Sequence, residues 1–149
     1  MKKAIVIYDT KFGNTEKTAR ALTRAMEKQG INVDCVKADE VDIDKLTDYD
    51  FIAIGGPTHG FRVSKPMKAF LEKLRSVDIK GKKAFAFDTK YKSWLAGSAG
   101  KGIEKMLKGI GMNIVKPYSS AIVKASEGPL AEGMEEMFEQ IGGEIAELI

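Results

Sequence analysis

The sequence predicts an α/β fold in which an open parallel β-sheet lies between layers of helices. Five short apolar runs rich in β-branched and aromatic residues recur along the chain, and such near-continuous runs suit strands that are covered on both faces. Segments with helical periodicity, about 10 to 20 residues long, separate these runs, as βαβ crossovers require. The chain has 149 residues, which is the usual size of one domain, so we expect a single domain over residues 1–149.

The predicted strands are the five apolar runs, each bounded by polar or glycine-containing turns. They cover residues 4–8, 31–36, 51–56, 83–88 and 113–123. In open sheets of this type, ligands bind beyond the carboxyl ends of the strands, where the strand order reverses. The residues that directly follow strands one, three and four are therefore the first candidates for function.

Four amphipathic helices are predicted from apolar residues that recur every three or four positions. The first covers residues 14–29 and is followed by Gly30, a residue favoured just beyond the end of a helix. The acidic stretch at residues 39–48 is weakly periodic and is predicted as either a short helix or a loop. The remaining helices are predicted over residues 66–75, 99–110 and 130–148.

The composition excludes several classes of function. No apolar run approaches the roughly 20 residues that span a bilayer, and the N-terminal residues turn polar too quickly for a secretory signal, so we expect a cytoplasmic protein with no membrane partner. The 24 Lys and Arg against 21 Asp and Glu give a net charge of +3 without a basic tract, so no nucleic-acid partner is expected. The single cysteine, Cys35, is expected to be a buried thiol, and no Cys/His cluster indicates a metal site.

Residues 9–15, which join the first strand to the first helix, are a candidate anion site. The start of a helix exposes N–H groups without intrahelical partners and carries a partial positive charge. Thr10 and Thr15 add hydroxyl groups, Asn14 adds an amide, and Gly13 permits a positive φ or a close backbone approach. Neither a P-loop nor a G-x-G-x-x-G pattern is present. The pattern indicates a phosphate cradle of neutral donors, with a helix capped by Asn14 or Thr15 as the alternative.

The stretch TKFGNT at residues 10–15 resembles the T-x-[ST]-G-N-T phosphate loop of flavodoxins, which bind flavin mononucleotide (FMN). The resemblance implies a flavodoxin-like three-layer sandwich with a five-stranded parallel sheet in the order 2-1-3-4-5. Phe12 stands where the family has Ser or Thr, which removes one hydroxyl donor but leaves the backbone N–H. By the same resemblance, Lys11 faces solvent and adds only long-range attraction. The chain lacks the insertion in the final strand of long-chain flavodoxins and so resembles the short-chain class.

The stretch GGPTHGFRVSKP at residues 55–66 resembles the flavodoxin loop that covers one face of the isoalloxazine ring. The resemblance implies cofactor contacts from Pro57 and Thr58 and puts His59 at the inner flanking position. Gly60 matches the residue whose peptide can flip to hydrogen-bond the flavin N5–H after one-electron reduction. His59 is the only histidine, and because histidine titrates near neutral pH, its charge is expected to make the flavin potential depend on pH.

The stretch DTKYKSWLAGSAG at residues 88–100 resembles the loop that stacks an aromatic ring on the outer face of the flavin. The resemblance puts Tyr91 in that role, and Trp94 is a second candidate. It also implies backbone contacts from Asp88 and Thr89 to the pyrimidine edge. Gly97 completes the predicted cofactor-binding set.

The function implied by this resemblance is that of a low-potential one-electron carrier. It would bind FMN, act as a monomer between redox partner proteins (a reductase and an acceptor), and use no catalytic residues of its own. One alternative is an FMN-dependent NAD(P)H:quinone or small-molecule reductase of the same fold, and another is a relative that binds no flavin. A receiver-like signalling module is disfavoured, because Gly55 and Gly56 stand where a receiver needs a phosphorylatable aspartate.

Overall fold

Strands and helices alternate along the chain in the computed structural model, which describes residues 2–60, 62–92 and 97–149. The strands are β1 (Lys3–Tyr8), β2 (Asn32–Lys37), β3 (Phe51–His59), β4 (Arg62–Val63), β5 (Lys83–Tyr91), β6 (Asn113–Ile114) and β7 (Ser119–Val123). The helices are α1 (Asn14–Lys28), α2 (Lys65–Leu74), α3 (Ala99–Ile110) and α4 (Met134–Leu148). Two short 3₁₀ helices, Ala38–Glu40 and Ile43–Asp48, occupy the acidic stretch after β2.

The sheet has the order β2-β1-β3-β5, and both β6 and β7 pair with the remaining edge of β5. All of these pairings are parallel, whereas the two-residue strand β4 pairs antiparallel with the end of β3. When β4 is left aside, this is the predicted order 2-1-3-4-5, with β5 as strand four and β6 and β7 together as strand five. The order reverses at β1 and β3, so their carboxyl ends border the crevice in which such sheets bind ligands.

The predicted fifth strand at residues 113–123 is interrupted in the structure. The ladder continues as far as Val115, whose N–H donates to the carbonyl of Ala84 at 3.0 Å. Pro117 has no N–H to donate, and the N–H of Tyr118 turns aside to the carboxylate of Glu104 at 2.9 Å. The prediction of one continuous strand is therefore wrong at residues 115–118, which separate β6 from β7.

Three element boundaries also differ from the prediction by three residues or more, for physical reasons. The last helix begins at Met134 rather than at residue 130, because Leu130 forms a bridge with Val123 and the N–H of Ala131 donates to Ile122. Strands β3 and β5 each extend three residues further than their apolar runs. Their polar ends stay paired with each other or with a neighbouring strand, which carries both strands to the edge of the site.

The alternation of side chains along each strand divides the core into two halves. In β1, Ala4, Val6 and Tyr8 belong to a hydrophobic cluster under α1 and α4. Ile5 and Ile7 point to the other face of the sheet and belong to a cluster under α2 and α3. Cys35 is half-buried, and its burial raises the pKa of the thiol, which disfavours the nucleophilic thiolate. Within the described ranges, no helix is long and apolar enough to cross a membrane.

Candidate functional site

A cavity of about 410 Å³ opens at the carboxyl ends of β1, β3 and β5, next to the start of α1. Its volume lies within the range of about 300–1,000 Å³ that is typical of small-molecule sites. The residues predicted from the three loops converge there from positions far apart in the sequence. The predicted residues that line the cavity are Thr10, Lys11, Phe12, Asn14, Thr15, Pro57, Thr58, His59, Gly60, Thr89 and Tyr91.

The loop after β1 is organised around Gly13, which adopts a φ of +91° and directly precedes α1. Its N–H donates to Oγ1 of Thr10 at 2.9 Å, which holds the turn together. No side chain caps α1. The amide of Asn14 instead donates to the carbonyl of Glu127 at 3.2 Å, and Oγ1 of Thr15 lies 3.0 Å from Oγ1 of Thr89. The alternative of a helix capped by Asn14 or Thr15 is therefore wrong.

The start of α1 leaves a set of backbone donors unpaired. In the part of the chain that the structure describes, no acceptor bonds to the N–H groups of Asn14, Thr15 or Glu16, and the first bonded N–H of the helix is that of Lys17, to Gly13 O at 3.1 Å. A Cβ at Gly13 would meet nothing within 4 Å, so the space beside the turn is open. Unpaired N–H groups at a helix start, together with neutral hydroxyls, fit the phosphate of a mononucleotide.

The loop after β3 is a tight antiparallel hairpin. Thr58 pairs with Val63 and His59 pairs with Arg62, so the chain reverses at Gly60, whose φ is +52°. Pro57 and Thr58 are half-buried at the wall of the cavity, whereas His59 and Gly60 are exposed at its mouth. The hairpin explains why a glycine stands at position 60, because other residues rarely adopt this backbone conformation.

The loop after β5 contributes Thr89 to the wall of the cavity and Tyr91 to its mouth. Tyr91 is 44% exposed, which leaves a face of its ring available for stacking. Trp94 lies outside the described residues. Gly97 has a φ of +72°. It was predicted to contact the cofactor, but it is not among the residues that line the cavity.

Asp88 lies beneath the cavity rather than in its wall, a position that the sequence did not predict. Its side chain is fully buried and does not line the cavity. Its Oδ2 accepts hydrogen bonds from Oγ of Ser98 at 2.7 Å, from Oγ1 of Thr58 at 3.0 Å and from the N–H of Gly100 at 3.0 Å. Oδ1 has no hydrogen-bond partner among the described groups. The carboxylate therefore ties the ends of β3 and β5 to the start of α3, and so fixes the base of the two loops that flank the cavity.

A fourth loop, after β7, closes the cavity and was missed in the sequence. Val123 and Ser126 line the cavity, as does Lys90 at the end of β5. Gly128 packs so closely on the first loop that a Cβ there would lie 2.7 Å from Nδ2 of Asn14. A signal was present, because the polar Ser-Glu-Gly-Pro stretch at residues 126–129 follows the last strand of a parallel sheet and so lies at the same edge.

Comparison with known proteins identifies the family. A family model described as Flavodoxin matches residues 6–141, which is most of the chain. The chain belongs to the flavodoxin family. Flavodoxins bind FMN and transfer electrons to redox partners, and the donor set at the start of α1 fits the phosphate of this cofactor.

Individual flavodoxins resemble the chain over different lengths. Probable flavodoxin 2 of Bacillus subtilis is 30% identical over 142 residues, which cover 92% of this chain and 90% of that protein. Probable flavodoxin 1 of the same organism is 32% identical over 89 residues, so the match covers 58% of this chain and 56% of that relative. Among solved structures, that of a flavodoxin from the domain Archaea is 27% identical, with a TM-score of 0.86 over 97% of this chain and 96% of that one.

Proposed function

We propose that residues 1–149 form a single-domain, short-chain flavodoxin that carries one electron at a time between redox partner proteins. The observation that carries this proposal is the row of unpaired N–H groups at the start of α1, which opens into a cavity lined by neutral hydroxyls. Such a donor set favours a phosphate dianion without a cation clamp. FMN, when bound there, supplies the one-electron chemistry.

The roles of the individual residues follow from their places around the cavity. The N–H groups of Asn14, Thr15 and Glu16 hold the phosphate, and Thr10 keeps the turn in shape through its bond to the N–H of Gly13. Tyr91 stacks on one face of the ring system, and the hairpin at Gly60 covers another part of it. The buried carboxylate of Asp88 keeps these two loops at a fixed separation, which pre-organises the cavity for a planar ligand.

The family match favours a carrier over a substrate-converting enzyme. The titratable side chains among the described residues of the cavity lining are Lys11, His59, Lys90 and Tyr91, and the carrier function gives none of them the role of general acid, general base or nucleophile. A carrier needs no such group, because the bound cofactor provides the chemistry and the protein provides binding, exposure and local charge.

Reconstitution with FMN, followed by reduction, tests the proposal. The purified protein should bind one FMN and show a flavin spectrum, and a potentiometric titration should resolve two separate one-electron potentials. NAD(P)H alone should not sustain the reduction of a quinone unless a separate reductase is added. Failure to bind FMN would contradict the proposal, and steady NAD(P)H:quinone turnover by the isolated protein would assign it to the reductases instead.

A further inference from the structure

The positive charge of the chain is concentrated in two segments beside the cavity. Residues 57–71 and 89–103 contain six Lys and Arg residues and no Asp or Glu. Because the whole chain carries a net charge of +3, the residues outside these two segments together carry −3. The net positive charge of the chain therefore comes from the loops after β3 and β5 and from the helices that follow them.

These six residues form what we call the cationic rim, which lies beside the cavity mouth. Five of them are exposed, and the sixth, Lys90, is half-buried and lines the cavity itself. A groove of about 520 Å³ runs along one part of the rim and meets the cavity at His59, which lines both. Lys11 adds a further exposed cation to the cavity lining. The members of the cationic rim are Arg62, Lys65, Lys68, Lys90, Lys92 and Lys101.

The cations of the rim have no carboxylate partners in the described ranges. Each ion pair found there joins residues of α1, α3 or α4, links Arg75, which directly follows α2, to Glu72 within α2, or links Lys116 to α4. The carboxylates of the helical layers are therefore partly neutralised within the protein, whereas the charge of the rim faces outward. Unpaired like charges on one surface repel one another, and a partner of opposite charge relieves that repulsion.

Two exposed aromatic side chains lie at the same mouth. Phe12 is 47% exposed and Tyr91 is 44% exposed, and both line the cavity. Nζ of Lys11 lies 5.3 Å from the centre of the Phe12 ring. An aromatic centre next to charged residues is the usual anatomy of a protein–protein interface.

We propose that the cationic rim, with Phe12 at its inner edge, is the docking surface for a redox partner protein whose own surface is rich in carboxylates. The proposal rests on the electron-carrier function proposed above, because electron exchange requires the partner to approach the mouth of the cavity. Complementary charge steers such encounters and raises their rate by about 10- to 1,000-fold at low ionic strength. The surface charge of this chain thus selects acidic partners.

Oxidation of the reduced FMN-loaded protein by two small ions of opposite charge tests the electrostatic potential at the mouth of the cavity. Ferricyanide, a trianion, takes one electron and becomes ferrocyanide; tris(phenanthroline)cobalt(III), a trication, takes one electron and becomes the cobalt(II) complex. Stopped-flow rates should be measured at ionic strengths from about 10 to 500 mM, over which screening shortens the Debye length from about 30 Å to less than 10 Å. The rate with ferricyanide should fall as salt is added, and the rate with the cobalt complex should not fall.

Two charge-reversal variants with the same net charge separate a local effect from a global one. R62E/K65E/K68E changes the rim, and none of the three residues lines the FMN cavity. K28E/K45E/K80E changes three exposed lysines that precede β2, β3 and β5 in the chain and line neither the cavity nor the groove. At low ionic strength the rim variant should react with ferricyanide at least about tenfold more slowly, and the control should stay within about twofold of the parent protein. Equal slowing of both variants would overturn the proposal.

A second measurement needs no flavin, so it keeps the docking surface testable even if FMN does not bind. Hexaglutamate, titrated into the ¹⁵N-labelled protein, should shift amide resonances around the rim, and the shifts should disappear in R62E/K65E/K68E but persist in K28E/K45E/K80E. Shifts spread over the whole surface would overturn the proposal. Tighter binding of a single-stranded DNA oligonucleotide than of hexaglutamate would assign the surface to nucleic acid, and would also overturn it. Failure to bind FMN, by contrast, contradicts only the electron-carrier function.

Discussion

Gly142 lies where α4 packs against α1, and Gly142→Ala tests how closely the two helices approach. A Cβ at this position would lie 2.6 Å from the carbonyl oxygen of Leu22 and 2.9 Å from the Cβ of Ala25. The carbonyl belongs to the backbone of α1, so it cannot rotate away and the helices must separate. Overpacking of this kind costs about 1–3 kcal/mol of stability.

Gly143 is a matched control in the same helix. A Cβ there would meet nothing within 4 Å, so Gly143→Ala should stabilise the protein by about 0.8–1.0 kcal/mol through helix propensity alone. Gly142→Ala gains the same propensity term, which cancels when the two variants are compared. The difference between them is therefore the overpacking cost, and Gly142→Ala should be the less stable by about 1–3 kcal/mol.

Urea unfolding of the two variants, followed by circular dichroism at 222 nm, measures this difference. In a thermal scan the same difference corresponds to about 2–4 °C for each kcal/mol in a chain of this size. Equal stability of the two variants would refute the close approach of α1 and α4, and with it the described placement of the helix that begins at the cavity.

Three further substitutions test separate parts of the structure. Burial of Tyr49 and the hydrogen bond that its hydroxyl donates to the carboxylate of Asp34 raise the pKa of this phenol to about 12. Folding therefore favours the neutral phenol. The resulting contribution to stability is complete below about pH 10 and is lost as the pH rises toward 12. Tyr49→Phe should therefore lose less stability than the parent between pH 9 and pH 12, as judged by urea midpoints. Asp88→Ala removes the acceptor of three hydrogen bonds and should cost about 3 kcal/mol or more in urea unfolding. Ser98→Ala removes one of these hydrogen bonds and the N-cap of α3, and should cost about 2 kcal/mol; equal losses would contradict the buried clamp. Gly128→Ala should weaken FMN binding about fivefold in a fluorescence titration, because it breaks the roughly 1 kcal/mol hydrogen bond that holds the last loop to α1. Gly81→Ala, at another positive φ but in open space at the opposite edge, should leave the affinity unchanged.

The strands and helices were predictable where local sequence and tertiary packing favour the same structure. Strand β1 is a continuous apolar run because both of its faces are buried. The bounds of α3 agree with the prediction because Gly111 ends it in a left-handed conformation. The break near Pro117 and the late start of α4 depend on hydrogen bonds to residues outside the local segment, which periodicity does not report.

The site was predictable in its loops but not in its detailed contacts. The start of α1 has a distinct sequence pattern, because the glycine, the hydroxyls and the amide are adjacent in the chain. The clamp at Asp88 joins groups 10 and 30 residues away in sequence, and no local pattern marks such a convergence. The closing loop at Gly128 is likewise set by its contact with Asn14, 113 residues or more earlier in the chain.

The central claim is that unpaired N–H groups at the start of α1 hold the phosphate of FMN, and riboflavin tests this claim because it lacks only the phosphate. Three hydrogen bonds to a charged group, each worth about 1.5–3 kcal/mol, should make FMN bind at least about 1,000-fold more tightly than riboflavin. Thr15→Val should weaken the binding of FMN but not of riboflavin, and Thr23→Val, a buried threonine further along the same helix, should change neither. Equal affinities of the parent protein for FMN and riboflavin, measured by fluorescence titration, would contradict the claim.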